Sequence, residues 1–493
     1  MKSLLYSVLG VALWLFASCS QEVKISLRTD EPSPLVKEYA NVVVPPNIAP
    51  LNFFVDAADG KEGMVLSSGD SQLSVVCKDG ALIPALDGWK ELLANAKGKT
   101  MKVEHCVQTD DGWKAYQAFD IQVAEDEIDA CLAYRLIPPG YEKWNEMGIY
   151  QRNLENFEEK VILSNTQTDR NCMNCHSFCM QNPDRMQLHL RAKHAGTLIV
   201  NGDDIAKLET KTEQTISALV YPYWHPSGKY IVYSVNDTKQ LFHTHHPNRI
   251  EVMDLASDVV VYDVEKNEIV TAPQIFDKEV FETFPSFSAD GKTLYYCAAR
   301  RQHIPDDIEK LKYHLCAISF DAETRSFGEK VDTLYQAEQM DKSVSFPRVS
   351  PDGKYLMFTL ADYATFPIWH QEADLWMMDL KDGKTVCLDA LNSQSVESYH
   401  SWSSNGRWVV FSSRRGDGLH TRPYIAYIGA DGSVGKPFVL PQERGDFYQG
   451  CMNSFNIPEL VKGKVETGSY ALIQKVYGNE KEQVKMNRIN LTE

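Results

Sequence analysis

Four stretches of the chain share one alternation of apolar and polar positions. They are YPYWHPSGKYIVYSV (221–235), FPSFSADGKTLYYCA (284–298), FPRVSPDGKYLMFTL (346–360) and YHSWSSNGRWVVFSS (399–413). Each reads as an aromatic strand, a tight turn and a second strand of period-two alternation. Gly228, Gly291, Gly353 and Gly406 sit at the turns, 63, 62 and 53 residues apart. A residue without Cβ is wanted there because such turns require a positive φ. After three of them a long loop leads to a further strand ending in a turn: SDVVVYDVEKNE, LCAISFDAETR and DLWMMDLKDGK. Four-stranded units repeated on this scale predict a β-propeller.

The flanking segments supply the remaining blades. MQLHLRAKHAGTLIVNGDDIAKLET (186–210) reads as strand, turn, strand, turn, strand, and YQGCMNSFNI with SYALIQKVY would fill the last blade. The expectation is six blades, with seven as the alternative. The repeat resembles the aromatic-Ser-Pro-Asp-Gly-Lys signature of TolB-like propellers. Ser350-Pro351-Asp352-Gly353-Lys354 matches it fully, Ala289 replaces the Pro in the second copy, and the first and fourth copies are looser. Ahead of the repeats, NVVVPPNIAPLNFFV and MKVEHCV read as strands, GWKELLANAKG as a short helix ending at Gly98, and YRLIPPGYEKWNEMGIYQR as a Pro-Gly turn followed by irregular chain. A smaller, mostly β domain at 35–165 is therefore expected, then a linker at 166–185 and the propeller at 186–493.

Residues 1–18 read as an export signal: Lys2, an apolar run Leu4–Ala17, then Ala17-Ser18-Cys19. The ending resembles a bacterial lipoprotein signal, which implies lipidation of Cys19, although Phe16 stands where such signals usually carry Leu. The run is short for a membrane span of roughly 20 residues. Residues 19–34 would be a tether. The predicted location is the bacterial envelope, periplasmic or at the cell surface, with the membrane a partner through the lipid. The balance of 50 basic and 67 acidic residues, a net −17, argues against a nucleic-acid partner.

Within RNCMNCHSFCMQNPDRM (170–186), Cys172, Cys175 and His176 have the spacing of a c-type haem site. Two thiols three positions apart can form thioethers to the two vinyl groups, with the adjacent imidazole as iron ligand. Candidates for the opposite iron position are Met180, Met186, His189 and His194; His189 leads, then Met186. In a strand those two point to opposite faces, whereas in a helix they would share one. Similar exported propellers carry a Met-x-x-His here, a resemblance covering about 170–300. Zinc on Cys172, Cys175, Cys179 and a His, or a Cys172–Cys175 or Cys175–Cys179 disulfide, are the alternatives.

The long loops of the repeats carry His243, His245, His246, His303, His370 and His420, six of the 13 histidines. Arg300, Arg301, Arg414, Arg415, Arg422 and Trp369 accompany them, a rim that could bind an anion, a metal or a haem edge. Polar loops that merely tolerate His are the plain alternative. There is no Gly-x-Ser-x-Gly elbow, His-Glu-x-x-His or phosphate loop, so no catalytic residues are assigned. The expected function is electron transfer or redox sensing with the propeller as docking platform for a redox or envelope partner. The alternatives are a haem-free propeller binding a partner protein or envelope ligand through its rim, and haem-based catalysis at an open iron position.

Overall fold

The computed structural model describes residues 22–487 except 36, 56–59, 140–145 and 247. The export signal, Cys19 and the start of the expected tether lie outside the described residues. Six four-stranded antiparallel sheets form a six-bladed propeller. Blades 2 to 6 run in chain order, with innermost strands Met173–Phe178, Val220–Trp224, Val280–Phe287, Ser343–Val349 and Glu397–Trp402. The four repeat copies are the two inner strands of blades 3 to 6, and their glycines take φ of +70°, +73°, +72° and +67°.

Blade 1 is composite. Its three outer strands, Cys131–Ile137, Gly148–Asn153 and Glu159–Ser164, precede the repeats, and its innermost strand is Ser454–Val461. The two parts pair antiparallel, Cys131 opposite Val461 and Ile137 opposite Ser454. The propeller therefore begins near residue 131, not at 186 as the repeats suggested. With its first strand supplied from more than 300 residues away, blade 1 lacks the strand–turn–strand signature that marks the others. YRLIPPGYEKWNEMGIYQR correspondingly holds two blade strands rather than irregular chain. Met173–Phe178, which holds Cys175 and His176, is itself a blade strand and not a linker.

Two further segments differ from expectation. Ile25–Pro32, placed in the tether, is a strand parallel to Gly112–Gln117. SYALIQKVY is a helix, Ser469–Tyr477, because its apolar residues repeat at i,i+4 and bury Leu472 and Val476. Beyond it, Glu482–Gln483 and Lys485–Met486 add short parallel strands to the outer edges of blades 2 and 3.

The N-terminal domain is a sheet carrying the helix Leu86–Ala96, which buries Trp89, Leu92, Leu93 and Ala96 on one face. Its core is continuous with blades 1 and 6, joining Trp89 and Leu93 to Trp408, Phe411, Phe438 and Phe455. Polar contacts fix the joint: Ser404 donates through N and Oγ to Asp129 at 2.7 and 2.6 Å, and Tyr427 donates to Asp126 at 2.7 Å. Among the described residues no helix is long and apolar enough to cross a membrane.

Phe455 is fully buried in the closing strand and contacts Tyr134 edge-on at 4.9 Å between centroids. Phe455→Ala should cost about 3–5 kcal/mol of unfolding free energy in a urea titration. A loss under about 1 kcal/mol would show that this strand does not close the ring.

Candidate functional site

The innermost strand of every blade carries one residue in the left-handed region. These are Cys175 (φ +53°), Tyr221 (+51°), Phe284 (+47°), Phe346 (+53°), Tyr399 (+48°) and Ile457 (+52°). Each stands at an irregularity in its strand pairing, for example between Asn174 and Ser177 and between Val220 and Tyr223. A bulge re-aims the strand, and bulky or β-branched residues rarely accept such φ, so the surrounding packing holds them there. Four of the six form a chain of rings around the axis. Tyr221–Phe284, Phe284–Phe346 and Phe346–Tyr399 lie 4.4, 4.3 and 4.8 Å apart between centroids.

Aligning the bulges reveals a tetrapeptide in all six blades: Cys175-His176-Ser177-Phe178, Tyr221-Pro222-Tyr223-Trp224, Phe284-Pro285-Ser286-Phe287, Phe346-Pro347-Arg348-Val349, Tyr399-His400-Ser401-Trp402 and Ile457-Pro458-Glu459-Leu460. The Cys-His of the haem-like motif thus occupies the aromatic-Pro place of the repeat. A Pro suits a bulge, where the backbone N–H has no ladder partner. His400 fills the same place in blade 6 and meets the Met357 carbonyl at 3.0 Å through Nε2. The signal is present in the sequence, since CHSF aligns with YHSW, but the Cys-x-x-Cys spacing overlaps and masks it.

These tetrapeptides and the turns after them enclose an axial channel of about 110 Å³. Its wall includes the six bulge residues, His176, His400, Trp224, Trp402, Arg348 and Glu459, and none of the long loops contributes. At the loop end, the long hairpin of blade 3 (Tyr230–Phe242 with Ile250–Asp263) reaches past blade 4 to blade 5. There the buried His370 meets Glu251 through Nε2 at 2.9 Å and Glu372 through Nδ1 at 3.0 Å, while Tyr363 donates to Glu251 at 2.8 Å. Burial alone would lower the His370 pKa, but the two carboxylates outweigh it and raise it to about 9.

His176 is buried, and neither ring nitrogen makes a hydrogen bond of good geometry, although the Ile457 backbone lies near enough to favour its proton. Burial, reinforced by the Arg135 guanidinium, pushes its pKa down to about 3, so the ring is neutral. Burial also raises the Cys175 thiol pKa. The neutral unpartnered imidazole suits a haem iron, and Cys175 shares its channel. Cys172 does not line it: it is partly buried and packs against the core between blades 1 and 2. A haem tethered by both sulfurs needs them at one cavity, and this strand does not bring them to one.

The expected sixth ligands are dispersed as well. Met186 is fully buried between blades 1 and 2, with Leu188 and Leu190. His189 lies on the opposite face, as strand alternation requires, with Nδ1 3.0 Å from the Thr197 hydroxyl in a second cavity. His194 meets Asp169 at 3.0 Å. Of the four residues considered, only Met180 lines the channel. No disulfide joins Cys172, Cys175 or Cys179, and among the described residues no three His, Cys, Asp or Glu side chains gather as a metal site.

The rim divides in two. His245, His246 and His303 are exposed and His243 is half-buried beside His246. His370 and His420 are buried, the latter 2.8 Å from Asp417. Arg414 stacks on Trp369 at 3.5 Å, Arg415 pairs with Glu397 at 3.0 Å, and Arg422 donates to backbone carbonyls. The rim cations at these positions therefore fasten loops. Sequence reasoning missed Arg348 and Glu459, whose only signal was a charge at the third tetrapeptide position.

No family model matches the sequence. Solved structures with similarity include a DUF4784 family protein from Bacteroides caccae, 9% identical over 73% of this chain and 96% of that one, TM-score 0.32. A puromycin-hydrolyzing peptidase of Mycobacterium tuberculosis is 12% identical over 85% of this chain, which spans 57% of its length, TM-score 0.34. Prolyl oligopeptidase B from Galerina marginata is 11% identical over 68% of this chain, which spans 42% of its length, TM-score 0.33. Likenesses this slight do not bear on what the chain binds.

Two outcomes follow from the titrating groups. His176, with both nitrogens orphaned, stands where four blades have Pro; His176→Pro should keep the fold and raise stability by about 1 kcal/mol. Its folded pKa lies below the ordinary one, so the unfolded chain binds the extra proton and stability falls as pH drops from 6.5 towards 3. The Pro variant should show a shallower fall in urea titrations across that range; an unfolded variant would show that the bulge needs the imidazole. For His370 the sign reverses. Its contribution is complete below about pH 6.5 and is lost as pH rises through 9, so His370→Gln should differ most from the parent at pH 6 and least at pH 10.

Proposed function

We propose that the chain is an envelope binding protein whose axial channel is the binding site, with the propeller as scaffold rather than catalyst. The observation that carries this reading is the channel itself: aromatic walls, two charged side chains, and strained bulges aiming residues at the axis. Its volume is well below the roughly 300–1,000 Å³ of sites for drug-sized molecules. The occupant is therefore a small molecule or the end of a longer one. The TolB-like signature agrees with a binding role, and export with lipidation at Cys19 would hold the protein at the membrane.

A second reading, a c-type haem on Cys172, Cys175 and His176 serving electron transfer or redox sensing, is favoured by the orphaned nitrogens of His176. It requires the strand to turn Cys172 towards the channel. Haem staining after denaturing electrophoresis, on protein made in a host with haem-attachment machinery, decides it; a colourless band ends that reading.

For the channel, saturation-transfer NMR with benzyl alcohol should give a signal that disappears in Ser401→Trp, which fills the wall. A signal unchanged by that substitution would place binding elsewhere and overturn the proposal.

A further inference from the structure

Two charged side chains interrupt the aromatic and small residues of the channel, and they come from different blades. Arg348 of blade 5 and Glu459 of blade 1 both hold the third place of the tetrapeptide, filled elsewhere by Ser177, Tyr223, Ser286 and Ser401. Arg348 donates through Nη1 to the Pro347 carbonyl at 2.8 Å and lies over the Tyr223 ring at 5.0 Å. Glu459 accepts the Phe178 N–H through Oε1 at 2.9 Å. Among the ion pairs of the described residues, none joins Arg348 to Glu459.

Taking a guanidinium and a carboxyl out of water without pairing them is costly, and a core of apolar residues would be cheaper. Holding them apart in one apolar chamber makes sense when a third body supplies both complements. Burial outweighs their mutual attraction and the Phe178 N–H on Glu459: the Arg348 pKa is lowered, and that of Glu459 is pushed up to about 8.

We infer that the channel binds a small zwitterion with an apolar body, of amino-acid size. Its ammonium is set on Glu459, its carboxylate on Arg348 and its side chain among the rings of Tyr221, Phe284, Phe346 and Tyr399. A guanidinium offers a carboxylate two parallel N–H donors, and aromatic walls accept a hydrocarbon side chain without loss. The inference rests on the reading of the channel as the binding site and names what enters it.

A linked proton is part of the design. Burial favours the protonated form of Glu459, and an arriving ammonium favours the carboxylate, so a proton leaves on binding. The groups facing Glu459 are Arg348, Tyr223 and Cys179. His176 and His400 in the same wall stay neutral, with pKa values of about 3.

The test is calorimetric titration of the full chain with L-phenylalanine and L-leucine, each beside its N-acetyl and C-terminal amide forms. At least one parent zwitterion should bind ten-fold or more tighter than either of its blocked forms, and release protons at pH 7 when buffers of different ionisation enthalpy are compared. Glu459→Gln should abolish the preference over the N-acetyl form and the proton release. Arg348→Gln should abolish the preference over the amide. If parent and blocked forms displace benzyl alcohol equally, or none displaces it, the zwitterion is refuted while the channel stands. If benzyl alcohol does not bind the channel, the channel reading falls and this inference with it. The blocked-ligand series on the unmodified chain decides the question even if a variant fails to fold.

Discussion

The architecture depends on one local constraint, a left-handed residue at the same place on the innermost strand of all six blades. Five of these residues are bulky, and the sixth is Cys175. An isolated strand would relax such a backbone, since each costs on the order of 1–3 kcal/mol. Here the rings of blades 3 to 6 bear on one another around the axis, so none of those four bulges can relax without disturbing the next. The same constraint narrows the channel, turns the third tetrapeptide residue inward and fixes where a charge meets a ligand.

Seen this way, the Cys-x-x-Cys-His spacing has two halves of different origin. Cys175-His176 belongs to the repeat that builds the channel wall, in the place where Tyr399-His400 stands in blade 6. Cys172 belongs to the packing between blades 1 and 2. The orphaned ring of His176 and the paired ring of His370 show how differently a buried imidazole is treated. One is kept neutral against the axis, and the other is kept charged between two carboxylates to tie the blade 3 hairpin to blade 5.

The blades were legible where strand, turn and strand are contiguous, because period-two alternation and a turn glycine are local signals. Gly228, Gly291, Gly353 and Gly406 therefore marked blades 3 to 6, and 186–210 the outer strands of blade 2. Blade 1 was illegible as a blade because its pairing of Leu132 with Leu460 is a long-range contact that leaves no local pattern. SYALIQKVY is a short apolar run that suits either period, and only Leu472 and Val476 facing one core decide for the helix. For the site, residue types were readable and convergence was not. Cys175 and His176 were singled out, yet their neighbours on the axis, Arg348 and Glu459, come from strands 170 to 280 residues further on.

The composite first blade also sets the order in which the molecule can be finished. A chain emerging from its N-terminus builds Cys131–Ile137 early, with an unpaired inner edge, and Ser454–Val461 is among the last strands to appear. Until then the ring is an open crescent, with one raw strand edge of the kind that recruits foreign strands. The segments that follow, Ser469–Tyr477 and the short strands on the edges of blades 2 and 3, come later still. A nascent chain halted before about residue 454 therefore has five blades formed in sequence and no circle, so shielding that edge falls to whatever holds the chain during synthesis.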